Sequence, residues 1–240
     1  MRMRRQILRS IIIIIVALGW ASSNNAFAGS FEDARAAFQK GDYATARKLW
    51  RPIAEQGDVD AQYAVGVIYD NGYGVAQDSK EAIKWFRLAG EQGHRSAQYN
   101  LGVMHLLGQG IGQDYKEAMK WSRLAAKQGH PTAQYNVGLM YAKGKGDVRN
   151  YDEAVKWYRL SAQQGYADAL NNLGVMYING WGVSRDNIRA FMWFDLAAGL
   201  GDAGAVASRD VIAKRLTSAQ IAKARKLARK CKASDYMQCD

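Results

Sequence analysis

The chain has 240 residues, 33 Lys and Arg against 22 Asp and Glu, and a formal net charge of +11. Its two cysteines have no histidine close by, which excludes a zinc site needing four ligands. Beyond the first 28 residues no stretch is apolar enough to cross a bilayer. No segment alternates apolar and polar residues with period two, and there are only 2 prolines, so a sheet-based fold is excluded.

Residues 1–28 read as an address. Arg2, Arg4, Arg5 and Arg9 precede the apolar run Ile11 to Leu18, and Ala26-Phe27-Ala28 puts small residues where a signal peptidase reads them. The order predicts a secretory signal peptide cut after Ala28, hence a periplasmic or secreted protein. The competing reading, an uncleaved anchor, meets an apolar run shorter than the roughly 20 residues a span needs. Cleavage removes four arginines and leaves 29 basic against 22 acidic side chains, a net charge of +7. Much of that excess lies in Lys223, Arg225, Lys226, Arg229, Lys230 and Lys232. An exported protein seldom meets nucleic acid, so no nucleic-acid partner is expected. Anionic envelope polymers, lipid headgroups or acidic protein surfaces fit the charge better, and a merely solvated helix face explains it equally well.

Residues 29–42 predict a capping helix. Ser30, with Asp33, is placed to cap it ahead of Phe31, Ala34 and Phe38. From residue 43 the chain repeats itself every 36 residues. Gln56-Gly57, Gln92-Gly93, Gln128-Gly129 and Gln164-Gly165 fall on that period. So do Ala61, Ala97, Ala133 and Ala169, then Gly66, Gly102, Gly138 and Gly174, and then Trp85, Trp121, Trp157 and Trp193. Such a period marks a stacked array. The expected units are 43–78, 79–114, 115–150, 151–186 and a partial 187–201.

Within a unit, Ala82, Trp85, Phe86 and Ala89 are spaced i, i+3, i+4, i+7, one stripe of a helix, with charged residues on the other side. Asp78 or Ser79 can cap its start, and Gly93 supplies a left-handed residue at its end. Ala97, Leu101 and Met104 give a second stripe, beside which Gly102 permits close approach of a neighbouring helix. Each unit therefore predicts two antiparallel helices that must stack to hide their stripes. His105 stands where Tyr69, Tyr141 and Tyr177 recur, Ser122 where Phe86, Tyr158 and Phe194 recur, and Asp147 where Val75, Ile111 and Val183 recur.

Residues 202–240 predict capping helices and a tail. Arg209-Asp210 breaks the apolar-Gly pattern, and Thr217-x-x-Gln220 fits a capping box ahead of Ile221, Ala224, Ala228 and Cys231. About twelve helices result. Cys231 and Cys239 predict a disulfide in an oxidising compartment.

The string Ala97-Gln98-Tyr99-Asn100-Leu101-Gly102, the Gly-x-Gly turn, the Asp-x-x-x-Ala-x-x-Trp helix and the Ala-x-x-Gln-Gly end resemble the Sel-1-like repeat, a relative of the tetratricopeptide repeat. The resemblance covers residues 43–201. It implies an all-α solenoid of helix pairs wound as a right-handed superhelix, with a concave groove used mostly for protein–protein contacts. Some cysteine-rich relatives are linked to cell-wall fragments or hydrolysis, but they carry disulfides in each repeat, which this chain does not.

No catalytic, metal or cofactor motif is found. Gly108-Gln109-Gly110-Ile111-Gly112 is a repeat turn, not a phosphate loop, because no strand precedes it. His94 and His130 read as surface turn residues, and His105 as a core histidine. The remaining candidates are on the helices expected to line the groove: Tyr63, Tyr99 and Tyr135, with Asn100, Asn136 and Asn172. In one reading, the amides bond to an extended peptide and the tyrosines anchor it. In the other, the asparagines tie repeats together and the tyrosines pack. The expected function is that of a monomeric scaffold for a protein or peptide partner in the cell envelope, not an enzyme. The alternative is docking of the basic last helix on anionic envelope polymer or lipid.

Overall fold

The computed structural model describes residues 30–237 and 239. The signal-peptide segment lies outside them. Twelve helices and no strand are found among the described residues, an all-α repeat of the α-solenoid class. The chain forms two compact units that divide after His94. The first contains α1 (residues 30–39), α2 (Tyr43–Glu55), α3 (Val59–Asn71) and α4 (Ser79–Glu91). The second contains α5 (Arg95–Leu107), α6 (Tyr115–Lys127), α7 (Pro131–Lys143), α8 (Tyr151–Ala162), α9 (Ala167–Asn179), α10 (Asn187–Ala198), α11 (Ala203–Ala213) and α12 (Ser218–Ala233). Ser30 is already helical, so the start of α1, with the cap expected there, lies outside the described residues.

The repeat period places a helix cap every 36 residues. Asp78 Oδ1 accepts from the N–H groups of Lys80 and Glu81, both at 3.0 Å, and starts α4. Asp114 does the same for α6 and Asp186 for α10, while Asn150 accepts from the Glu153 N–H alone to start α8. Each side chain satisfies N–H groups that the first helical turn would otherwise leave unpaired. At the other end, Gly72, Gly144 and Gly180 close α3, α7 and α9 in the left-handed conformation. Thr217 and Gln220 form the expected reciprocal capping box of α12.

The expected stripes are buried. Ala82, Trp85, Phe86 and Ala89 on α4 and Ala97, Leu101 and Met104 on α5 are all buried. The tightest pairs are α3 with α4, α5 with α6, α7 with α8 and α9 with α10, the helices on either side of a Gly-x-Gly loop. Glycine makes this approach possible. A Cβ on Gly66 would lie 2.6 Å from the Phe86 ring, and one on Gly174 would lie 2.5 Å from Phe194. At Gly102 the facing residue is Ser122, and its backbone N comes within 3.1 Å of the same imaginary atom. The small serine thus lets α5 and α6 approach backbone to backbone. Asp147, the polar turn residue, bonds Arg123 Nη2 at 2.8 Å, and this holds its carboxyl below the usual range.

In three of the Gly-x-Gly loops the residue between the glycines locks the loop onto the helix 30 residues before it. Tyr73 stacks on Tyr43 with ring centres 4.6 Å apart, and Trp181 on Tyr151 at 5.0 Å. Lys145 Nζ lies 4.6 Å from the Tyr115 ring centre. Aromatic pairs and cations over rings reach such distances for quadrupolar reasons.

The buried polar groups follow the same period. Gln62, Gln98 and Gln134 are buried, and their Oε1 atoms accept from Gln92, Gln128 and Gln164 respectively, each at 2.8 Å. Gln134 Nε2 also donates to the Ala126 carbonyl at 3.1 Å. A buried amide is tolerated when its hydrogen bonds are made. The sequence shows the Gln-Gly recurrence, but its role as the partner of a second glutamine row appears only in three dimensions.

Candidate interaction site

The six residues singled out as partner contacts lie on the odd-numbered helices and are all half-buried. Tyr63 is on α3 of the first unit. Tyr99 and Asn100 are on α5, Tyr135 and Asn136 on α7, and Asn172 on α9 of the second. The tyrosines do not stand free. Tyr63 stacks on His94 with ring centres 4.3 Å apart, and Tyr99 stacks on His130 at 4.4 Å. Tyr135 meets Tyr166 at 5.3 Å. His94 and His130 are therefore half-buried stacking partners rather than surface turn residues, because the turn folds back over the tyrosine of the helix before it. The signal was available: residues 94, 130 and 166 are ring-bearing and lie 31 positions after each tyrosine.

His130 has a second task. Its Nδ1 accepts from the Ala133 N–H at 3.3 Å and caps α7. Burial, and then the nearby Arg95 charge, hold its pKa below the ordinary histidine value. His94 Nε2 lies 3.5 Å from Asp60 Oδ1. His105 is buried, as expected of a core histidine.

Asn172 and Tyr135 are brought together. The Asn172 side chain hydrogen-bonds to the hydroxyls of Tyr135 and Tyr158. Burial pushes both phenols above their ordinary range, most strongly Tyr158. No such bond ties Asn100 or Asn136 among the described residues. The row thus offers two amides with hydrogen-bonding capacity beside ring edges already fixed by stacking. Fixed rings lose little entropy on meeting a partner.

At the far end, Cys231 and Cys239 form the expected disulfide, with Cα atoms 4.4 Å apart. It fastens the tail to α12. Ala224, Ala228 and Cys231 are buried as predicted, and Ile221 is half-buried. Lys223, Arg225, Lys226, Arg229, Lys230 and Lys232 are all exposed. No group of His, Cys, Asp and Glu that could hold a metal ion occurs among the described residues, and no described helix is long and apolar enough to cross a membrane.

The comparisons with known proteins agree with this geometry. The Sel1 repeat model matches residues 35–58, 59–94, 95–130, 131–166 and 167–202. A crystal structure of a Sel1 repeat protein from Oxalobacter formigenes is 34% identical, with a TM-score of 0.69 over 73% of this chain and 72% of that one. A protective antigen present in uropathogenic Escherichia coli strains, displaying an SLR fold, is 27% identical, with a TM-score of 0.57 over 88% of this chain and 55% of that one. No curated protein matches. These five repeats, which together span residues 35–202, place the chain in the Sel1 repeat family.

Proposed function

We propose that this chain is an extracytoplasmic Sel1 repeat scaffold that holds a protein or peptide segment against the row of Tyr99, Tyr135, Asn100, Asn136 and Asn172 in its second unit. It acts by binding, as a monomer, without a cofactor. The observation that carries this reading is the pairing of pre-stacked tyrosines with the amides of Asn100 and Asn136 on half-buried helix faces. Repeat folds present such faces as continuous surfaces. The disulfide supports an oxidising compartment, where such bonds persist.

A photocrosslinker at Tyr99 in the envelope fraction tests the proposal. Capture of one dominant protein, lost in the Asn100→Ala/Asn136→Ala variant, is the expected result. That variant should unfold within about 0.5 kcal/mol of the parent, as surface substitutions do. A large loss of stability with unchanged capture would assign the amides to packing. Mass analysis of the exported chain should show Gly29 as its first residue.

A second reading has its own observation, the six exposed cations of α12. Docking on an anionic polymer or lipid surface through them would weaken steeply as salt rises. Capture through the tyrosine row would not.

A further inference from the structure

The last repeat holds a cleft that the tyrosine row does not use and that shares only Lys230 with the second reading. About 360 Å³ in volume, it opens between α8, α10 and the disulfide-closed tail. That volume falls within the roughly 300–1,000 Å³ of small-molecule sites. Arg159, Gln163, Trp193, Lys230, Tyr236 and Met237 line it, and no carboxylate of the described residues does. Arg159 is oriented from behind, its Nη2 donating to the Tyr177 hydroxyl at 3.1 Å. Lys230 brings a second cation from α12.

Trp193 supplies an unexplained donor. It is 2% exposed, and its Nε1–H meets no acceptor. Two of its repeat counterparts do not share this. Trp85 Nε1 donates to Glu81 and Trp121 Nε1 to Glu117, each at 3.1 Å. One turn before Trp193 stands Arg189, which has donors only. The last repeat has thus lost an acid and kept a buried N–H. A buried polar group without a partner is costly and calls for an explanation.

The tail forms the apolar side. Asp235 and Tyr236 both have positive φ, 49° and 63°, a conformation such residues rarely adopt unless their surroundings hold them. The disulfide and the bond from Tyr236 N to the Cys231 carbonyl, at 3.0 Å, do so. They set the Tyr236 ring against Gly165, where an added Cβ would touch it at 3.7 Å.

We propose that this cleft binds a small molecule bearing a carboxylate or phosphate. Arg159, Lys230 and the Trp193 N–H take the oxyanion, and Tyr236 and Met237 cover the ligand's apolar part. Hydrogen bonds from charged donors to an oxyanion are the strong ones, and a guanidinium suits both ligand groups.

The test follows the Trp193 indole N–H by ¹⁵N–¹H NMR of the disulfide-bonded chain, with the peak assigned from Trp193→Phe. Phenyl phosphate and benzoate are the probes, and phenol is the neutral control. A saturable shift with either anion, at a Kd of about 1 mM or tighter, and none with phenol is expected. A response to only one anion supports the proposal and assigns the ligand class. Lys230→Glu, at an exposed position, should weaken binding at least roughly tenfold through reversed charge. Lys223→Gln/Lys226→Gln, outside the cleft, should leave it unchanged. An indole peak unmoved by about 20 mM of either anion, far above any useful affinity, would overturn the proposal. So would an equal shift with phenol, or indifference to Lys230→Glu. A shift with phosphatidylglycerol vesicles but not with the soluble anions would overturn it in favour of a lipid surface.

Discussion

The α5–α8 repeats and the α9–α12 end of the second unit share one plan but differ in what covers it. In the interior, Gln98 meets Gln128 and Gln134 meets Gln164. One period later both partners are leucines, Leu170 and Leu200, so the hydrogen-bonded pair is replaced at both positions at once. Leu124 and Leu160 are 39% and 42% exposed on α6 and α8, whereas their counterpart Leu196 on α10 is 6% exposed because α12 packs there. Trp121 has an acid to bond and Trp193 does not. The repeating links between repeats are thus given up where the second unit ends, and a cap, a disulfide and a cleft take their place.

The largest expected effect tests what the two regions share. Phe194→Ala removes the ring packed on Gly174 and should cost about 4 kcal/mol in chemical unfolding. Ser122→Ala, at the interior position where the serine already lets the helices close, should cost far less. Similar losses at both sites would show that the aromatic–glycine contact does not carry the pairing.

Reduction comes next and touches only the end. Cys231→Ser/Cys239→Ser should lower stability by about 2 kcal/mol, the range for a short closed loop. Hydrogen exchange should rise in α12 while α5 to α7 keep their protection. Uniform loss of protection would mean that the cap holds the whole unit together.

A third experiment turns the interior into the end. Gln134→Leu alone removes the acceptor of the Gln164 amide and one of the donors to the Ala126 carbonyl, at a cost of about 1–2 kcal/mol. Adding Gln164→Leu should recover part of that loss, as removing both partners of a hydrogen bond often does. No recovery in the double-mutant cycle would show that the leucine pair needs the local packing of α9.

The smallest effect is pH-dependent. His130 caps α7 as a neutral imidazole, and its folded pKa lies below the ordinary 6.5. The unfolded chain therefore binds the proton more readily, so this contribution is complete above about pH 6.5 and fades as pH falls through the folded value. His130→Asn, which caps without titrating, should remove that slope from the stability profile. At α9, where Tyr166 provides no side-chain cap bond, Tyr166→Asn should leave the slope unchanged.

Much of this was legible beforehand. A strict 36-residue period made the repeat helices, the cap at Asp78 and the buried stripes readable, and near neighbours did the same for the Thr217 cap and the disulfide. The candidate tyrosines and asparagines could be placed on their helices but not given a surrounding. The packing of the tyrosine rings against His94, His130 and Tyr166 depends on how a turn folds back over the preceding helix.

The cleft was not legible at all. Arg189 one turn before Trp193 is visible as a departure from Glu81 and Glu117, yet nothing local shows that the indole N–H is then left without an acceptor or that Lys230 and Tyr236 arrive beside it. The sequence alone settled the family, the helices and their ends, since those follow from short-range periodicity and capping chemistry. Tertiary structure decided which glutamines and tyrosines find partners, because those contacts join residues 30 and 31 positions apart, where a single replaced side chain changes the outcome.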